Sequence, residues 1–155
     1  MYIIYYGTGT ALTTSVAASI HLSDLTNPEA FQKELVRKIN EFWLLEQQSL
    51  GHLYYLGTDS LSHDVFLMNV AQSETIVLPG FKSVFEILQL RSTQYLLVDT
   101  TSFVTVYNLL GFNLYKRNLF RKLGHRCLLK GIEKNLSKIF LLVENTKKQL
   151  ENKDG

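Results

Sequence analysis

Residues 2–23, YIIYYGTGTALTTSVAASIHLS, read as a buried strand, a loop rich in Gly and Thr, and an amphipathic helix. The opening run Tyr2-Ile3-Ile4-Tyr5-Tyr6 is β-branched and aromatic without polar alternation, the pattern of a central strand covered on both faces. Gly7 ends it, and over 14–22 the small residues Ala17, Ala18 and Ser19 with Val16 and Ile20 suit a helix packed closely on a sheet, Thr13 or Thr14 serving as N-cap. Proteins often hold a phosphate in this way, because glycines let backbone N–H groups approach an anion and a helix N-terminus carries partial positive charge. The candidate phosphate-binding residues are therefore Gly7, Thr8, Gly9, Thr10, Thr13 and Thr14. The loop GTGTALTT matches G-x-x-x-x-G-K-[ST] only at Gly7 and Thr14, with Leu12 and Thr13 where the second glycine and the lysine belong. Without that lysine, efficient nucleotide hydrolysis needs a cation from elsewhere in the chain. The alternative is a tight turn that only joins strand to helix.

Downstream, Asn27-Pro28-Glu29 supplies a cap, a first-turn proline and a first-turn acid, and Phe31, Leu35, Ile39, Phe42 and Trp43 recur at helical spacing, predicting a helix to about Gln48. Residues 52–57 and 65–70 flank a polar turn and read as an antiparallel hairpin. A short strand is expected over 75–78, closed by Pro79-Gly80, and then a helix over 81–90. Tyr95-Leu96-Leu97-Val98-Asp99 is a second apolar strand ending in an acid, and Thr100-Thr101-Ser102 can cap a helix after it. The spacing then predicts a helix over 103–123 strained near Gly111, a strand over 126–129, a last helix over 132–150 and a frayed tail over 152–155.

Helices alternating with apolar strands set the expected fold class: α/β, a three-layer α/β/α sandwich with a mostly parallel central sheet and an antiparallel hairpin, P-loop-like or Rossmann-like. With 155 residues and 46% hydrophobic content, residues 1–151 are expected to form one domain. Ligands of such sheets bind outside the carboxyl ends of the strands, so the loops after Tyr6, Asp99 and Leu129 are expected to converge.

Asp99, with Thr100 beside it, stands where nucleotide hydrolases orient Mg²⁺ through water, which makes a nucleotide with Mg the expected cofactor if the loop is a site. The plainer reading of Asp99 is a helix-start charge or cap. Charge is segregated: residues 1–110 carry 5 Lys/Arg against 10 Asp/Glu, and residues 111–155 carry 11 against 4. Over 116–138 eight basic residues face only Glu133, and Arg126 and Lys130 are the candidate anion contacts that would supply the missing cation. The expected partner is a phosphate-containing small molecule. The alternative is a non-enzymatic regulatory or interaction protein whose basic C-terminal surface holds an acidic protein, and its loop would then be packed and closed. Nucleic acid is disfavoured, since Tyr115 and Phe120 space with Leu119 and Leu123 as core residues do.

His52, His63, Asp59 and Asp64 surround one hairpin and read as turn residues, so no metal site is expected. His21 falls at the end of the first helix, where an imidazolium suits the dipole, and His125 follows Gly124 in a basic loop, where it could reach a phosphate but reads first as a surface residue. The single cysteine, Cys127, excludes an internal disulfide and reads as buried and structural. No run of eighteen apolar residues and no signal-peptide pattern is present, so a cytoplasmic protein with no membrane contact is expected. No Ser/His/Asp or Cys/His arrangement has recognisable local context, so no catalytic residue and no reaction is assigned.

Val16-Ala17-Ala18-Ser19-Ile20-His21-Leu22, the segment from His52 to Asp59, and Leu97-Val98-Asp99-Thr100 together resemble a small family of bacterial proteins. That family, best represented in spore-forming Gram-positive species, is classified only as a domain of unknown function. Its loop carries a histidine followed by serines where this chain has Leu12-Thr13-Thr14. The resemblance implies no substrate, and any family activity that needs the histidine is altered here.

Overall fold

The computed structural model describes residues 1–23, 27–46, 49–117 and 120–154. The chain forms β1 (Tyr2–Gly7), α1 (Thr13–Leu22), α2 (Pro28–Glu46), β2 (Leu53–Thr58), β3 (Asp64–Asn69), α3 (Glu74–Ile87), β4 (Tyr95–Asp99), a 3-10 turn (Thr101–Phe103), α4 (Val106–Lys116) and α5 (Arg121–Asp154). The four strands make one mixed sheet in the order β2-β3-β1-β4. β1 pairs in parallel with β3 (Tyr5 opposite Leu67) and with β4 (Tyr5 opposite Val98), while β2 and β3 form the antiparallel hairpin. The α/β class and the mostly parallel sheet with a hairpin are as the sequence predicts.

Strand alternation sends successive β1 side chains to opposite faces. Ile3 and Tyr5 enter a large apolar cluster with Leu12 and Val16 beside α1, Phe31, Leu35 and Ile39 of α2, and Leu128, Ile132 and Ile139 of α5. Ile4 and Tyr6 enter a second cluster with Met68, Val70 and the α3 residues Val77, Phe81 and Phe85. The connection from β1 to β3 thus runs over one face and the connection from β3 to β4 over the other. The chain steps from β1 to β3 on one side and then back across to β4 on the other, so β1 and β4 flank the point where the strand order reverses, the position at which open α/β sheets form a crevice beyond their strand ends.

Several sequence expectations fail. Residues 75–78 are not a strand but the first turns of α3, with Pro79 inside the helix. That proline removes a backbone donor at a cost of about 3 kcal/mol. Val77, Phe81 and Phe85 recur every four residues and dock on the Ile4 face, and this tertiary burial offsets the loss. Residues 126–129 are likewise not a strand: they lie in α5, whose buried stripe runs Leu128, Ile132, Leu136, Ile139, Val143 and Leu150. Gly124 and Gly131, which look like punctuation in sequence, are points of close helix approach. A Cβ at Gly124 would sit 2.9 Å from the Tyr115 amide nitrogen, and one at Gly131 would sit 2.6 Å from Asn108 Cγ. The third failure concerns the segment after β4. Its helix is α4, opened by a capping box in which the Thr105 hydroxyl accepts from the Asn108 amide, and Thr100 to Ser102 do not cap it. The expected strain at Gly111 is again a close crossing, since a Cβ there would lie 2.8 Å from the Leu128 nitrogen. The expected end at Gln48 and the spacing residue Leu119 lie outside the described residues. The last helix continues to Asp154, through most of the stretch expected to fray.

Candidate functional site

α1 begins without a side-chain cap. Leu12 occupies the N-cap position in the left-handed region (φ 58°), no side chain bonds to the cap, and the first turn holds no acid. The expected cap, Thr13 or Thr14, is instead the first or second residue of the helix itself. Both hydroxyls are directed inward. Thr100 Oγ1 donates to the Tyr6 carbonyl at 2.8 Å, so in its 2.9 Å contact with Thr14 Oγ1 it is the acceptor and Thr14 the donor. Thr13 Oγ1 donates, over 3.4 Å, to the Thr100 carbonyl. Neither hydroxyl keeps its proton for a ligand, and both side chains are buried.

The rest of the loop is closed in the same way. Gly7 is flanked by the two hydroxyls: a Cβ there would overlap Thr14 Oγ1 and lie 2.6 Å from Thr100 Oγ1. Gly9 has φ +68°, and a Cβ there would lie 2.7 Å from Asn69 Cγ, so the end of β3 packs on the loop. The Ala11 carbonyl accepts from Asn108 Nδ2 at 3.1 Å. Thr8 and Thr10 remain half-buried and contact each other hydroxyl to hydroxyl at 2.8 Å. Gly7, Thr13, Thr14 and Thr100 are thus one connected group.

Asp99 is not part of that group. Val98 packs in the cluster beneath α1 and Leu97 in the cluster beneath α3, so by alternation Asp99 falls on the α3 side of the sheet edge and Thr100 on the α1 side. Asp99 Oδ1 accepts from the Thr101 amide and hydroxyl, each at 2.7 Å, which closes the 3-10 turn. Burial, with the Asp99 and Glu74 carboxylates adding to it, pushes the Tyr6 phenol up, consistent with Asp99 sharing its face.

Arg126 and Lys130 are both exposed on α5, and neither is hydrogen-bonded to the loop; the expected strand-end loop after Leu129 does not exist. A continuous helix gives them a different setting. Lys122, Arg126, Lys130, Lys134 and Lys138 recur every four residues and form one exposed ridge. Lys130 and Lys134 both lie over the Tyr107 ring, at 5.1 and 4.6 Å from its centre, and Lys116 and Arg121 lie over Phe112 and Tyr115. Glu133, the one acid of the segment, accepts from Gln32 of α2 at 2.7 Å. On the buried side of α5, Gly131 abuts Asn108, the residue that bonds the Ala11 carbonyl.

Two residues that organise this region were not singled out from sequence. Asn108 is fully buried, accepts from Thr105 and holds Ala11. Its signal was the spacing Thr105-x-x-Asn108, a capping-box pattern. Asn69 accepts from the Ala71 amide at 2.9 Å, an Asx turn at a strand end.

A second polar cluster lies at the other end of α1. Tyr5 donates to His21 Nδ1 at 2.7 Å, His21 Nε2 meets Asp59 Oδ2 at 3.0 Å, and His63 Nδ1 meets the same oxygen at 3.1 Å. Burial lowers the His21 pKa despite the Asp59 contact and makes it a neutral ring, not the imidazolium expected at a helix terminus. Burial alone would raise the Asp59 carboxyl, but hydrogen bonds from the His63 amide and the two rings hold it below its ordinary value. Among the described residues no group of three or more His, Cys, Asp or Glu is arranged to hold a metal ion. Cys127 is half-buried on α5 rather than enclosed. A cavity of about 630 Å³ opens near this end, lined by Ile20, Pro28, Phe140, Val143 and Lys147, and no predicted site residue borders it. Among the described residues no helix is long and apolar enough to cross a membrane.

No curated protein and no solved structure matches the chain. A family model described as "Protein of unknown function (DUF3189)" matches residues 2–148, nearly the whole chain, and the chain therefore belongs to that family.

Proposed function

We propose that the protein is a non-enzymatic interaction protein that holds an acidic protein partner on the cationic ridge of α5. The observation that carries this is the run of five cations, Lys122 to Lys138, spaced four residues apart with their one acidic neighbour, Glu133, bonded to α2. Like charges at this spacing destabilise a helix by roughly 0.2–0.5 kcal/mol per pair. Tyr107 offsets part of that cost for Lys130 and Lys134 through cation–π contact. A partner carboxylate row would relieve the remainder. The inward hydroxyls of Thr13 and Thr14 favour this reading over a loop-centred one.

The test is fluorescence anisotropy of a labelled polyglutamate peptide with the full chain at low and physiological salt. Saturable binding that weakens with salt and falls at least tenfold in Lys130→Glu/Lys134→Glu is expected. No binding, equal binding by the double variant, or tighter binding of a single-stranded oligonucleotide would sink the proposal.

A second reading rests on the uncapped start of α1 with no first-turn acid. Here a phosphate-containing ligand, such as a nucleotide with Mg, takes the amides of the Gly7 to Thr14 loop and the hydroxyls of Thr8 and Thr10. The three-layer, P-loop-like view of the fold and a cytoplasmic location belong with it. Apolar clusters against both sheet faces support the layering, while the missing lysine and the position of Asp99 weigh against hydrolysis. A melting-temperature rise with phosphate or nucleotide, reduced in Thr8→Ala/Thr10→Ala, is the expected result; no rise with any anion removes this reading.

A further inference from the structure

We propose that the cavity framed by Asn40, Tyr115, Arg121, Lys122 and His125 binds one phosphate group, the anchor point of the acidic partner at the start of the α5 ridge. The cavity holds about 220 Å³. That is below the roughly 300–1,000 Å³ of pockets that enclose whole small molecules, so it suits a single group. Arg121 is positioned in advance. Its guanidinium lies 5.0 Å over the Tyr115 ring and donates to the Tyr115 hydroxyl at 3.2 Å, that hydroxyl donates to Asn40 Oδ1 at 2.6 Å, and the ring packs 4.4 Å from Trp43. A cation held this way loses little freedom on binding. The His125 ring borders the cavity, and its Nε2 is buried with no hydrogen-bond partner among the described residues. Among the described residues no carboxylate lines the cavity. Two permanent charges beside an imidazole match a dianion, and a tetrahedral one offers oxygens in more directions than a planar carboxylate does.

Among the described residues, those that border the cavity with His125 are Arg121 and Lys122 on its own helix, Tyr115 on α4 and Asn40 on α2, none of them anionic. Burial lowers the His125 pKa, so without a bound anion the ring is neutral. A bound dianion favours the imidazolium, and binding therefore takes up a proton and tightens as pH falls.

The inference rests on the interaction reading for the source of the phosphate. Its test is a titration of the ¹⁵N-labelled full chain with sulfate, whose charge is constant over the pH range used, followed by NMR at the His125 ring and Arg121 side chain. Saturable shifts at both, severalfold tighter binding near pH 6 than near pH 8, and loss of the shifts in Arg121→Ala are expected. Arg121→Lys, which keeps the charge and removes the planar fork, serves if the alanine variant fails to fold, and it too is expected to weaken binding. Phenyl phosphate binding tighter than sulfate indicates a phosphate carried on a larger ligand, and equal affinities indicate the free anion; both support the site. Absence of saturable shifts at His125, or shifts unchanged by both Arg121 variants, overturns it. Polyglutamate binding without a sulfate response overturns the pocket alone. A sulfate response without polyglutamate binding leaves the pocket standing and removes the ridge.

Discussion

The Thr14 hydroxyl donates to the Thr100 hydroxyl across 2.9 Å and joins the first turn of α1 to the end of β4. This one contact decides what the loop can offer a ligand, because it uses the proton of the residue best placed by sequence to bind an anion. It also fixes Gly7, which lies between the two side chains.

Replacing Thr100 with Val leaves the Thr14 hydroxyl without its acceptor in a fully buried place, while the Tyr6 carbonyl keeps the Thr100 amide. The expected cost is about 1–3 kcal/mol, read as a lower urea midpoint with an unchanged slope. Thr100→Ser restores most of it. A Val variant as stable as the parent would show that the contact carries no weight.

Gly9→Ala meets two obstacles, φ +68° and the Asn69 side chain. A non-glycine residue in the left-handed region costs about 1–2 kcal/mol, and the contact with Asn69 adds to it. Combining it with Asn69→Ala should recover the steric part and leave the backbone part. Simple additivity in that double-mutant cycle would mean that the two residues do not press on each other.

The Tyr5, His21, Asp59 and His63 chain makes stability depend on pH in a defined direction. The His21 pKa is lowered by burial, so below about pH 6.5 the unfolded state binds the proton that the folded state refuses, and stability falls as pH drops through that range. Asp59 is also held low, so its contribution is present above about pH 4 and is lost on further acidification. Burial pushes the Tyr5 phenol up, and stability falls again above about pH 10. Urea midpoints at pH 5, 7 and 10.5 check the His21 and Tyr5 limbs, with a further point near pH 3 for Asp59. Tyr5→Phe should cost about 1–3 kcal/mol at pH 7 by leaving His21 Nδ1 unpartnered.

On the α5 ridge, stability and binding should oppose each other. Arg126→Glu converts two repulsive pairs, with Lys122 and Lys130, into attractive ones and is expected to stabilise the helix by a few tenths of a kcal/mol per pair at low salt. The gain should shrink in high salt as screening removes both terms. The same variant should bind polyglutamate more weakly. If it gains no stability at low salt, the cations do not interact along the ridge.

The α/β class, β1, the hairpin, β4 and the amphipathic α2 were legible because each carries its own period and punctuation. Asn27 accepting from the Glu29 amide at 2.8 Å is the cap expected from the letters alone. Two apolar runs misled for one reason: a stretch of four such residues fits a strand and a buried helix equally well. In α3 the docking of Val77, Phe81 and Phe85 overrode Pro79, and in α5 the glycines Gly124 and Gly131 let helices touch.

Taken alone, the sequence determined that charge is segregated, that glycine and threonine come after the first strand, and that apolar periodicities build an open α/β sheet. Which residues form a site was a tertiary matter. Hydroxyl direction depends on the partner across the sheet edge, so only the fold could turn Thr13 and Thr14 inward to Thr100. Strand alternation at β4 set Asp99 on one side and Thr100 on the other. Cations four residues apart make a ridge only if the helix through them is unbroken, and packing of Leu128, Ile132 and Leu136 keeps α5 unbroken.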